Sequence, residues 1–345
     1  MKTSKYFFIA FILFVFCWVV YLFRPFLMTM GIGILLAVAT ANLNIKMLEV
    51  TNGKSIISAI LTTTVLLFLL LAPLGYAVIE LVKYASNLNI ENVQKVMSYI
   101  QNFDFNLPAW FDSIEPRIKN FIASFDYTAI LKQVGVYAST IGKSSAKFII
   151  DIGLIVVFYF FANLYGKSLM RFVKDTLPIE KSQISSIASE VRNTMSVVLY
   201  STLATAVLQG FLFGSMVSFF KYDGFLMGIL YAFASMIPIV GGTLVYIPLS
   251  LYELANGNTN SAIFIFLYSA IMISTVADNF VKPLIIKFIN SKLVSSPANI
   301  NELIIFFAML AGIATFGFWG IILGPAIVTL FIALLNAYRI LTEDF

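Results

Sequence analysis

The sequence predicts an all-α integral membrane protein of about seven to eight membrane segments, with broken or re-entrant helical hairpins in its C-terminal half. Three observations carry that reading. Hydrophobic residues make up 60% of the 345 and charged residues 11%, where soluble domains average roughly 45–50% and about 25%. Apolar runs long enough to cross a hydrocarbon core of about 30 Å recur along the chain. The last long runs are interrupted by proline and glycine, which loosen a helix from within.

The same composition removes whole classes of chemistry. There is no histidine, so histidine-ligated zinc, haem and copper, Ser-His-Asp catalysis and a histidine proton shuttle are excluded. The single Cys17 cannot form an intrachain disulfide. The net charge of +5 reflects basic residues beside membrane spans and calls for no nucleic acid. Neither a resident metal nor a cofactor is expected, and no residue is assigned a catalytic role. No phosphate-binding glycine loop of the Walker type occurs, so any transport is secondary or facilitated.

Residues 1–82 are expected to hold the first three spans. Lys2 and Lys5 precede an apolar run from Tyr6 to Phe23. A second run, Phe26 to Ala41, follows a turn at Arg24-Pro25 and carries Gly31, Gly33, Ala37 and Ala39, small residues that let helices approach closely. The third, Ser55 to Ala72, comes after Lys46 and Lys54, which place that loop and the N-terminus in the cytoplasm. In residues 83–147 the apolar residues turn periodic. Leu107, Trp110, Phe111, Ile114, Ile118, Phe121, Ile122 and Phe125 form one helical stripe, and Val93, Val96, Met97 and Ile100 a shorter one. This is read as an extracytoplasmic amphipathic segment. Residues 148–196 hold a fourth span, Phe148 to Tyr165, then the densest basic cluster, Lys167, Arg171, Lys174, Lys181 and Arg192. That end is cytoplasmic, and Ile184, Ile187, Ala188, Val191 and Met195 mark an amphipathic helix on the inner surface.

Residues 197–345 form the expected transport core. The next span ends in the turn Lys221-Tyr222-Asp223-Gly224. The run from Phe225 to Tyr252 is broken by Pro238, Gly241 and Gly242, then by Pro248. If it crosses once, Lys282, Lys287 and Lys292 fall outside; if it turns back, they are cytoplasmic, as the charge bias prefers. The run from Ile304 to Leu335 repeats the design with Gly312, Gly317, Gly320, Gly324 and Pro325. Between them, the span Ile263 to Ile286 carries Ser274, Thr275, Asp278, Asn279, Lys282 and Pro283. Charge at membrane depth must face a partner, a bundle interior or water. Asp278 and Lys282, four apart, can pair with each other or serve a passing solute or cation. Two interrupted segments flanking one continuous span point to a transporter's substrate site.

The residues Ile237-Pro238-Ile239-Val240-Gly241 resemble the Ile-Pro-Tyr-Val-Gly segment of the autoinducer-2 exporter family of bacterial membrane proteins. Asp278-Asn279 with Pro283, and the stretch Phe316-Gly317-Phe318-Trp319-Gly320-Ile321-Ile322-Leu323-Gly324-Pro325, resemble that family's later motifs. The resemblance implies an all-helical permease of the bacterial inner membrane, a homo-oligomer, and export of small signalling molecules; some members are linked instead to sodium or lithium exchange for protons. Ile239, where the family often has an aromatic, and Lys287, in place of a small residue, depart from the pattern.

Three functions follow as expectations. The first is a secondary exporter of a small polar molecule such as autoinducer-2, with Ser274, Thr275, Asp278, Asn279 and Lys282 on its path. In it Pro238, Gly241, Gly242, Pro283, Gly317, Gly320, Gly324 and Pro325 act as hinges. The second is a monovalent cation/proton antiporter that depends on Asp278. The third is a non-transporting scaffold that uses the Leu107 to Phe125 stripe. None of them is an enzyme.

Overall fold

The computed structural model describes residues 2–86, 95, 98–99, 127–176, 180–237, 240–293 and 302–343. The periodic stripes expected from Val93 to Phe125, and Pro238 with Ile239, lie outside the described residues. Every regular element described is helical. Among them are five stretches long and apolar enough to cross a bilayer, together with shorter apolar helices. The chain is therefore a multi-pass membrane protein.

Helix α1 (Lys2–Phe23) and α2 (Leu27–Ala39) are joined by the 3-10 turn Arg24–Phe26. This departs from the sequence reading, which puts a reversal at Arg24-Pro25. The backbone stays in the right-handed helical region through Phe23 (φ −84°, ψ 0°) and Phe26 (φ −107°, ψ −7°). Proline is accepted in the first turn of a helix, where its missing N–H would have no partner anyway. The result is one helical run of 34 residues from Tyr6 to Ala39. With no reversal there, a single helical run separates Lys2 and Lys5 from Lys46 and Lys54. From Tyr6 to Leu27 every residue is exposed, a surface for which lipid is the fitting solvent.

After α3 (Ala41–Val50), a turn carries Asn52 and Gly53 in the left-handed region (φ 52° and 81°). Then α4 (Ser55–Leu66) passes through the π-helical turn Leu67–Leu71 into α5 (Ala72–Ser86). The expected fourth span lies within α6 (Tyr127–Thr176). The amphipathic stretch and the span after it form a single helix, α7 (Lys181–Ser218). Next come α8 (Gly224–Ser235), α9 (Thr243–Ala255) and α10 (Thr259–Leu267). A π-helical segment (Tyr268–Val281) leads into α11 (Lys282–Leu293), and α12 (Glu302–Phe316) and α13 (Gly320–Glu343) close the chain.

The chain divides into two compact units. The first comprises Met1–Phe68, Ile150–Val198 and Leu293–Phe345; the second comprises Leu69–Ile149 and Leu199–Lys292. The first unit has a polar core beside its apolar one. Tyr159, fully buried, shares a 2.6 Å hydrogen bond with the Thr40 hydroxyl. Asn44 accepts at Oδ1 from Ser58 (2.7 Å) and Thr62 (3.3 Å), and its Nδ2 donates to the Asn163 carbonyl (3.2 Å). Ser196 donates to the Ala39 carbonyl at 2.6 Å. Polar side chains of α3, α4, α6 and α7 thus find partners inside the unit, as a medium without water demands.

The second unit is built around an aromatic and aliphatic core of Phe213, Tyr231, Tyr246, Leu249, Ile265 and Ile273. The Phe213 and Tyr231 rings stack with centroids 4.4 Å apart.

Candidate functional site

In the second unit, α8 has 12 residues and α9 has 13, rises of about 18 and 20 Å against a hydrocarbon core of about 30 Å. Neither crosses alone. The break between them uses local turns to satisfy its backbone: Ile237 N–H donates to the Ala234 carbonyl (2.9 Å) and Gly241 N–H to the Ile237 carbonyl (3.0 Å). Gly241 and Gly242 are needed by space. A methyl group on Gly241 would collide with the Ala234 carbonyl, and one on Gly242 would lie 2.5 Å from the Tyr231 hydroxyl.

At the other end, Tyr222, just before α8, donates its hydroxyl hydrogen to the buried Glu253 carboxylate near the end of α9. The start of α8 and the end of α9 are therefore neighbours. The chain turns back at the break, and the segment is a helical hairpin.

Tyr222 lies in the connection between α7 and α8. Burial first, and the Glu253 carboxylate second, hold its phenol above the ordinary value of about 10. Substituting Tyr222→Phe leaves a buried carboxylate short of a donor and should lower stability by about 1–3 kcal/mol. The phenol's stabilisation is complete below about pH 10 and fades as pH rises through the raised value. Denaturation measured from pH 8 to 11 should show the gap between wild type and Tyr222→Phe narrowing at the alkaline end.

The polar span is not a regular α-helix throughout. From Tyr268 to Val281 the helix is π-wound, and the Thr275 hydroxyl donates to the Ala270 carbonyl five residues back at 2.8 Å. Its buried face is Ser269, Ile273 and Ala277. Ser274 is partly buried, whereas Thr275 and Asn279 are exposed; the Asn279 amide donates to its own helix at the Thr275 carbonyl (2.8 Å). Lys282 is partly buried at the start of α11, Pro283 is exposed in its first turn, and the Asp278 side chain lies outside the described ones. The polar residues so placed flank the unit's packed face and do not project into its core. The π-helix is rare, appears mostly as single-turn bulges and is frequent at functional sites.

The first unit holds the other interrupted pair. Gly317, in the left-handed region (φ 63°), opens the turn Gly317–Trp319 between α12 and α13. The helices then touch backbone to backbone: methyl groups on Gly312, Gly320 or Gly324 would collide with the Gly320, Gly312 and Ala308 carbonyls respectively. Pro325 is buried inside α13.

These observations describe a multi-pass helical chain with two hairpins pinned by glycine and a polar π-helical span. Residues 6–340 match the profile of the family described as "AI-2E family transporter". The chain belongs to the AI-2E transporter family. A protein of Helicobacter pylori (strain J99) is 36% identical over 339 residues, covering 98% of this chain and 96% of its own. Another from strain 26695 of that species is also 36% identical, over 97% of its length. A Pyrococcus horikoshii protein is 22% identical over 319 residues, 91% of this chain and 83% of its own. All three bear provisional transport names. This member of the AI-2E family is a membrane transporter.

Several residues important to the architecture escaped the sequence reading. Tyr222 with Glu253 is one pair, and Asn44 with its partners another; neither has a local signature. The Gly210, Gly214, Gly224 and Gly228 set does have one. Two five-residue stretches, Gly210 to Gly214 and Gly224 to Gly228, share the small-xxx-small spacing of close helix pairs. In the structure they face each other: a methyl on Gly214 would collide with the Gly224 carbonyl, and one on Gly210 with that of Gly228.

Proposed function

We propose that this chain is a secondary exporter of a small polar molecule in the bacterial inner membrane, with autoinducer-2 the solute singled out by the family's name. The observation that carries the reading is the α8–α9 hairpin, two helices each too short to cross a bilayer, followed along the chain by a π-helical stretch bearing Ser274, Thr275, Asp278 and Asn279. Interrupted helices at membrane depth free backbone groups for a solute and supply places where helices can re-angle. The hinge positions are Pro238, Gly241, Gly242 and Pro283 in one unit and Gly317, Gly320, Gly324 and Pro325 in the other. The basic collar of Lys167, Arg171, Lys174, Lys181 and Arg192 puts that end of α6 in the cytoplasm.

The test is flux of labelled autoinducer-2 in reconstituted vesicles. Asp278→Asn should lower the rate at least tenfold while insertion and yield stay at wild-type levels. An unchanged rate removes Asp278 from the path. The carboxylate at position 278 also supports a second reading, exchange of a monovalent cation for protons. That reading requires an imposed sodium gradient to move lumenal pH, a signal that solute export does not need.

A further inference from the structure

Helix α7 carries a polar strip on its inner face. From Asn193 to Phe220 the chain has no charged residue, yet Ser201, Thr205 and Gln209 are all buried. Each is four residues from the next, so the three lie along one side of the helix. The same side continues through Phe213 and Val217, which belong to the unit's aromatic and aliphatic core.

The glycine contacts set the depth of the polar strip. Gly214 meets Gly224 and Gly228, and Gly210 meets Gly228 and Ala232, so α7 and α8 run antiparallel. Continued at the same rise per residue, that pairing puts Thr205 level with the last turn of α8 and Ser201 level with the break after it. Leu203 and Ala206 of α7 accordingly share a groove with Phe233 and Met236. The strip therefore faces the interior of the second unit at the depth where the hairpin is interrupted.

Polar side chains on the inner face of a membrane helix ordinarily fasten it to its neighbours. The buried hydroxyls of Thr40, Ser58, Thr62, Ser196 and Ser250 do so, or close onto their own helix. Thr205, 6% exposed, does neither. Its hydroxyl has no partner among the described residues, not even the Ser201 carbonyl four back that a helical threonine commonly takes. A buried hydroxyl left unpaired is costly and calls for a reason. Ser269 is unpaired too, but it stands between Ile265 and Ile273 on an apolar face. Thr205 stands between two polar side chains.

Resting on the exporter reading, we infer that Ser201, Thr205 and Gln209 are the recognition site for its solute, closed in this structure, with the Thr205 hydroxyl left for a hydroxyl or carbonyl of the solute. Two hydroxyls and a carboxamide supply donors and acceptors without charge. The substrate class is a compact, uncharged, multiply hydroxylated molecule. An ion would lose its water there and find no counter-charge on the strip. Re-angling at Gly241 and Gly242 opens the site.

A first measurement reads binding alone. In a Cys17→Ser background, the thiol of Thr205→Cys in the full chain, held in lipid nanodiscs, is treated with N-ethylmaleimide and its modification followed by mass spectrometry. Erythritol, a small uncharged polyol, should slow modification saturably by about fivefold or more, the weight of a neutral hydrogen bond or two. Lactate at equal concentration should not. A second measurement reads flux of labelled autoinducer-2 in vesicles. Thr205→Val keeps the shape and breaks no hydrogen bond of the closed structure, so it should melt no lower than wild type; a merely structural hydroxyl would lower melting. Its half-saturating concentration should nevertheless rise by about fivefold, and Thr205→Ser, which keeps the hydroxyl, should behave as wild type. The proposal is overturned if the thiol never reacts, if erythritol gives no protection, if lactate protects equally, or if Thr205→Val transports with wild-type kinetics. Protection by erythritol in a chain that moves no autoinducer-2 leaves this site standing and sinks the exporter reading for that solute. Intact flux beside an unprotected thiol does the reverse.

Discussion

Gly320→Leu should separate α12 from α13 and give a chain that cannot be recovered as a monodisperse, folded protein. The atoms a side chain at Gly320 would strike are the Gly312 carbonyl and the Ile313 backbone nitrogen, and neither can swing away as a side-chain tip can. Overpacking a well-filled site commonly costs about 1–3 kcal/mol. With backbone on the far side, the cost belongs at or above the top of that range, a large share of the stability of an ordinary protein. Gly31→Leu is the matched control. A Cβ there meets nothing within 4 Å, and its effect should stay within about 0.5 kcal/mol. Size-exclusion profiles and thermal melting in one detergent check both. A Gly320→Leu protein that melts like wild type would mean the two helices are not held by backbone contact.

Asn44→Leu should destabilise the first unit by about 1 kcal/mol. The side chain takes part in three hydrogen bonds, with Ser58, Thr62 and the Asn163 carbonyl, and buried side-chain hydrogen bonds in membrane proteins average about 0.6 kcal/mol each. The loss should be partial, because Ser58 keeps the Asn44 carbonyl as acceptor and Thr62 keeps that of Ser58. Thr40→Val offers a second entry to the same network, since it deprives the buried Tyr159 hydroxyl of its 2.6 Å partner. The Asn44 and Thr40 changes should combine to more or less than their sum, whereas either should add simply to Tyr222→Phe in the other unit. Equilibrium unfolding in mixed micelles gives the energies. Full additivity of Asn44→Leu with Thr40→Val would show two separate polar contacts and no network.

The two hairpins differ in how readable they were. Gly317, Gly320 and Gly324 announce a break and a close approach by themselves, because a missing Cβ is a local property and its spacing along a helix is written in the chain. For the run around Pro238 the sequence left two topologies open. The contact that decides between them, Tyr222 on Glu253, joins residues 31 apart, and nothing in either neighbourhood marks the other as its partner. At Arg24-Pro25 the sequence pointed to a turn and the structure continues the helix. A proline in a first turn is compatible with both outcomes, so it could not choose. The polar span is a subtler case. The sequence put polar residues within the span but could not say which face of it is packed; the structure buries Ser269, Ile273 and Ala277 and leaves Thr275 and Asn279 exposed.

By itself, then, the sequence determined that the chain is helical, crosses a membrane several times, lacks histidine chemistry and is interrupted around Pro238 and Gly317; Pro25, Pro248 and Pro325, by contrast, sit within helical runs. What the sequence determined follows from transferring one segment at a time from water to lipid, a matter of local composition. The tertiary structure decided which glycines meet, that α8 and α9 turn back, which polar groups satisfy one another, and which buried hydroxyl is left unpaired. Inside a bilayer the hydrophobic effect no longer drives helices together, so their association rests on shape and hydrogen bonding between residues far apart in the chain. Such matching belongs to pairs of surfaces, and it appears only when both are in place.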